Sequence, residues 1–115
     1  MLRINGITND SKQRFSIPLE NDESAEITLS YNPRTQSWVI VSLQHREFIL
    51  NGYKIYNSRN FLHQFRNLIP FGLACISQDD REPMLIDDFS SGNSVIYVLN
   101  SEETISYWRE LSGSV

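Results

Sequence analysis

Cysteine is almost missing from this sequence, and lysine nearly so. A single thiol, Cys75, excludes an internal disulfide and fits a reducing compartment. Lysine occurs only at Lys12 and Lys54, so the basic residues are mostly arginine, the one favoured where proteins pack together. No apolar run approaches the roughly 18 residues of a membrane span. No charged and apolar leader opens the chain. The expectation is a soluble protein made in the cytoplasm, with no membrane partner. A basic surface is lacking too. Ten Lys+Arg against 14 Asp+Glu leave a formal net charge of −4, which argues against a general or specific nucleic-acid binder.

The signatures of cofactor and metal chemistry are also absent. The five glycines are scattered, with no GxGxxG or P-loop spacing. No HxxxH, HxH or CxxC pairs the two histidines, His45 and His63, or the cysteine into a metal site. The acidic pairs Asp79-Asp80 and Asp87-Asp88 lack the EF-hand spacing, and adjacent residues in an extended chain point apart. They read as solvated turn residues. Cys75 has no basic neighbour in sequence and reads as a small buried hydrophobe. Ser90-Ser91-Gly92 is not a nucleophile elbow. Tyr53, Tyr56 and Phe61 have the chemistry to stack bases, but core packing accounts for them more simply. The sequence therefore offers no catalytic, cofactor-binding or metal-binding set.

What is present is ordinary globular material, 40% hydrophobic and 21% charged. The stretch 58–69 has helical spacing. Phe61, Leu62, Phe65, Leu68 and Ile69 share an arc of about 120°, opposite Arg59, Asn60, His63, Gln64, Arg66 and Asn67. Asn57 or Ser58 can cap it and Pro70 must end it, so an amphipathic helix is expected over 58–69. Most of the rest alternates with a period of two. Phe15, Ile17 and Leu19 mark a strand that Pro18 confines to an edge. Ile27, Leu29 and Tyr31 mark one with a wet face. Residues 37–43 are apolar on both sides, as in a central strand. Gln44-His45-Arg46 turns the chain, Asn51-Gly52 predicts a second hairpin, and Leu73–Ile76 and Ser94–Leu99 are buried strands. Met84-Leu85-Ile86 is a short strand by composition. Strands every 8 to 12 residues point to a mainly β fold, an antiparallel sandwich or small barrel.

Three regions follow: an arm over 1–13 that is loose or forms a short edge strand, a β domain over 14–100, and a tail over 101–115. In the tail, Ser101 caps a short helix with Glu102 and Glu103 in its first turn, and Ile105, Trp108 and Leu111 share a face. The last residues, Ser-Gly-Ser-Val, are expected to fray.

Read as a string, Ile27-Thr28-Leu29-Ser30-Tyr31-Asn32-Pro33-Arg34-Thr35-Gln36-Ser37-Trp38-Val39-Ile40 resembles the opening signature of the phage baseplate plug family. The likeness continues through Ile49-Leu50-Asn51-Gly52, then Phe61-Leu62-His63-Gln64-Phe65-Arg66-Asn67-Leu68-Ile69-Pro70-Phe71-Gly72-Leu73-Ala74-Cys75, and Asp87-Asp88-Phe89-Ser90-Ser91-Gly92. It covers residues 14 to 100 and leaves out the arm and the Trp108 tail. The resemblance implies a virion part at the central baseplate that closes the distal end of the tail tube. Its partners would be hub, spike and tube proteins, with several copies on the tail axis, three rather than one. It implies no enzyme and no cofactor. Contact residues not needed for a core are Arg34, Arg59, His63, Arg66 and Trp108. The rival readings are a nucleic-acid-binding barrel or other interaction module, and a small lytic enzyme built on a carboxylate pair.

Overall fold

In residues 24–32 the period of two is realised in the structure: Ala25, Ile27 and Leu29 are buried, and Glu26, Thr28 and Ser30 between them are half-buried. A computed structural model describes residues 1–112 of the chain. It consists of strands β1 (Leu2–Arg3), β2 (Lys12–Pro18), β3 (Ser24–Asn32), β4 (Ser37–His45), β5 (Phe48–Lys54), β6 (Gly72–Ser77) and β7 (Ser94–Leu99), then helix α1 (Ser101–Ser112). The strands form two open antiparallel sheets, β2-β3-β4-β5 and β1-β7-β6. Both contribute to one core: Ile17, Ile27, Leu29, Trp38, Ile40 and Leu43 from the first, Leu73, Cys75, Ile96 and Val98 from the second. The fold is the mainly β class expected, with the short C-terminal helix in place. Pro18 lies on an edge strand, β2, and β1 is a two-residue edge strand paired with β7 at Val98 and Tyr97.

The stretch 58–69 is not an α-helix. Ser58 exchanges both backbone hydrogen bonds with Cys75 (2.9 Å each), and the Phe61 N–H donates to the Leu73 carbonyl (2.8 Å). Its first half is thus laid along β6, and only His63–Phe65 winds into a 3-10 turn. Asn60 fixes that geometry. Placed on the polar arc by spacing, it is instead buried, and its Oδ1 accepts the N–H groups of Leu62 (3.1 Å) and Leu73 (3.3 Å). Phe61, Leu62 and Ile69 are buried as expected, but Phe65 is only half-buried and Leu68 is 67% exposed.

Asn51-Gly52 is not a hairpin either. β5 runs through it, with Asn51 opposite Ser42 and Tyr53 opposite Ile40. The β4–β5 hairpin turns at Arg46-Glu47, where Arg46 has φ +54°. Gly52 does take a positive φ, +67°, but inside the strand, beside an irregularity. Thr28 pairs with Ser42 and Leu29 with Ile40, so Val41 is an extra residue in β4. That bulge also corrects the reading of β4 as apolar on both faces. β4 is central, but Ile40 and Leu43 both point inward across the phase shift and Val41 is exposed.

Met84-Leu85-Ile86 forms no strand; it belongs to the β6–β7 loop. The helix cap is Asn100, one residue before the expected Ser101. The Glu103 N–H donates to Asn100 Oδ1 (2.8 Å) and the Asn100 N–H to Glu103 Oε1 (3.1 Å), a reciprocal capping box. Of the expected frayed end, residues 113–115 lie outside the described residues.

Candidate functional site

The acidic pairs resolve first. Asp88 is buried and receives both Arg81 Nη groups (2.8 Å each) together with the N–H groups of Met84 and Leu85 (2.8 Å each). Burial alone would raise its pKa; the Arg81 hydrogen bonds and the two N–H donors outweigh it and hold the carboxyl at about 2. A carboxylate so committed has no free lone pair geometry for acid–base work, and it organises the loop instead. Asp79 pairs with Arg81 at 2.6 Å, on the outside of the same clamp. Among the described residues no group of three or more His, Cys, Asp or Glu side chains is placed to hold a metal ion.

The other titratable candidates are equally structural. Cys75 is buried in the core and its thiol is pushed up to about 12, first by burial and then by the nearby charges of Asp88 and Glu82. The Tyr53 and Tyr56 hydroxyls both donate to the Phe61 carbonyl, at 3.0 and 3.3 Å. Burial is also the main reason the Tyr53 phenol rises to about 12. These rings are spoken for by the fold, not presented for stacking. His45 is buried, with Nε2 3.7 Å from Glu23.

Four of the five contact residues come together. Arg59 lies over the Tyr107 ring and Arg66 over the Trp108 ring, each guanidinium 5.4 Å from the centroid. His63 meets Tyr107 edge-on at 5.3 Å. Burial, then the Arg66 charge, lowers the His63 pKa, so the ring is neutral at pH 7. A strap from the 3-10 segment and one side of α1 thereby build a patch of alternating guanidinium and aromatic groups. Arg34 is placed elsewhere, exposed at the tip of the β3–β4 hairpin, where its N–H donates to Asn32 Oδ1 (3.0 Å). Tyr107 was missed by the sequence reading. Its signal is the spacing Asn100, Thr104, Tyr107, Trp108, a helical stripe with one aromatic more than was counted. Thr104 on that stripe is buried, whereas Trp108, through which the helix was expected to dock, is 39% exposed and Ile105 on its face 53%.

The chain matches a family model described as cyanophage baseplate Pam3 plug gp18, over residues 1–102. The match begins at residue 1, so it takes in the arm that the resemblance had left out, and it ends just inside α1. No curated protein matches the chain. The match spans most of the sequence, and the chain belongs to the cyanophage baseplate plug family: a structural component of the virion baseplate, not an enzyme.

Proposed function

We propose that this member of the plug family closes the distal end of the tail tube, close to the hub and spike, and is held there by hub, spike and tube proteins. The β body over 14–100 would be the stopper, and the arm over 1–13 and tail over 101–115 would be its attachments. Three copies about the tail axis suit a site surrounded by rings of three-fold or six-fold symmetry. The observation that carries the reading is the convergence of Arg59, His63, Arg66 and Trp108 on one patch. Arginine and aromatic side chains are the usual anchors of protein contacts, and here each arginine is already oriented by a ring. Arg34, at the far hairpin tip, is the second contact.

The test is incorporation. Virions carrying Arg59→Glu together with Arg66→Glu should lose this chain from purified particles while keeping hub and tube proteins. Incorporation at the wild-type level would overturn the patch as the attachment surface.

A further inference from the structure

The loop between β6 and β7 inverts the usual arrangement of a surface loop. Its acidic centre, Asp88, is buried with Arg81 half-buried against it, and three consecutive apolar side chains face water: Met84 37%, Leu85 45% and Ile86 38% exposed. The backbone of that tripeptide is pinned at four points. Besides the two N–H groups on Asp88, the Met84 carbonyl accepts from the Tyr31 hydroxyl (2.7 Å) and the Leu85 carbonyl from Trp38 Nε1 (3.1 Å). The buried Asp88 with its half-buried partner Arg81, the core Trp38 and the half-buried Tyr31 thus hold an apolar knob ready-made, so docking it loses little further conformational entropy.

Charge marks the same loop. Between residues 78 and 92, five acids against Arg81 give −4, equal to the formal net charge of the whole chain; the remaining nine acids and nine bases cancel. Asp79 and Asp88 are paired with Arg81 and Glu82 with Lys54 (3.0 Å), which leaves Asp80 and Asp87 as the exposed acids outside those pairs, Asp87 next in sequence to Ile86. The complementary chemistry lies on the patch already described. A groove of about 310 Å³ is lined by Arg66, Asn67, Thr104, Ile105, Trp108 and Arg109. Its exposed apolar side chains are Ile105 and Trp108; Arg66 lies over the Trp108 ring and Arg109 is exposed beside them. Knob and groove share no residue, and α1 leaves β7 at the end opposite the loop.

We propose that Met84-Leu85-Ile86 of one copy seats in the Ile105–Trp108 groove of the next, with the acidic loop against Arg66 and Arg109. The contact is head-to-tail, so each copy offers one knob and one groove, and repetition gives a ring when the rotation between copies closes. This deepens the plug reading by naming a second copy as one partner of the patch. The contact itself is a property of the isolated chain, so its failure is separable from failure of that reading.

Sedimentation equilibrium of the purified chain, up to about 1 mM, measures it. The wild type should rise in mass above the 13.4 kDa of one chain. Salt raised from about 0.05 M to about 0.5 M should lower that mass, because the rim charges are screened. Leu85→Glu spoils the knob and Ile105→Glu spoils the groove, both at exposed side chains, so each variant should keep the wild-type circular dichroism. Each alone should stay monomeric, and an equimolar mixture should form a 1:1 pair and stop there. A wild type that stays monomeric up to 1 mM, a mass insensitive to salt, or variants that fail to pair when mixed would each overturn the proposal. Any of these would leave the chain's place in the baseplate to be decided by the virion itself.

Discussion

Asp88 is where the chemistry of single residues is most exposed to test. Its folded pKa of about 2 lies below the ordinary 3.8, so on acidification the unfolded chain takes up the proton first. The carboxylate therefore stabilises the fold fully above about pH 5, by about 2 kcal/mol, and the contribution is lost as pH falls towards 2. Urea midpoints at pH 7, 5 and 3 should converge for wild type and Asp88→Asn as the pH drops; a constant gap would mean the clamp does not depend on ionisation. That the acids at 87–88 sit in a turn was legible from composition. That one of them is buried was not, because its partners, Arg81 and two backbone N–H groups, are assembled by the loop rather than by local spacing. Gly72 carries a second residue-scale prediction. A Cβ there would stand 2.7 Å from the Asn60 side chain, which is buried and holds two N–H groups in place. Gly72→Ala should cost about 1–3 kcal/mol by overpacking, read as a lower thermal midpoint.

Among the elements, the strands with one wet face declared themselves by alternation, and the 58–69 stretch misled by obeying a helical period it does not adopt. The period was real, but pairing of Ser58 and Phe61 with β6 is a long-range contact that no local window contains. A contrast of two substitutions separates the forms. Phe61→Ala, at a fully buried side chain, should cost about 3–5 kcal/mol, and Leu68→Ala less than about 0.5 kcal/mol. Comparable losses at both would restore the amphipathic helix. Asn51-Gly52 shows the same lesson differently. The positive φ at Gly52 was legible, but its use beside the Val41 bulge was not, since bulges leave no fixed sequence mark. Gly52→Val should still destabilise, by about 1–2 kcal/mol, because the left-handed backbone remains. At α1, Asn100→Ala removes the capping box and should cost about 1 kcal/mol, seen as a weaker helical signal at 222 nm.

At the scale of the whole molecule, family and fold class were legible because the likeness extends over many segments in order, and because the β periodicity recurs along the chain. The gathering of Arg59, His63, Arg66 and Trp108 was legible only as a set of residues. Their common patch depends on how α1 returns across the 3-10 strap, and that path is set by the Asn100 cap and the burial of Thr104. The proposed contact, an apolar loop on one copy against the Ile105–Trp108 groove of the next, would make the molecule polar in the assembly sense. The measurement that bears most directly on this is a reconstruction of the intact virion baseplate, calculated without imposed symmetry at the tube end. The account predicts density for this chain on the tail axis, at the distal end of the tube, with the Arg59–Arg66–Trp108 patch in contact with a neighbour. A tube end occupied by other proteins alone, with this chain absent or confined to the baseplate periphery, would contradict it.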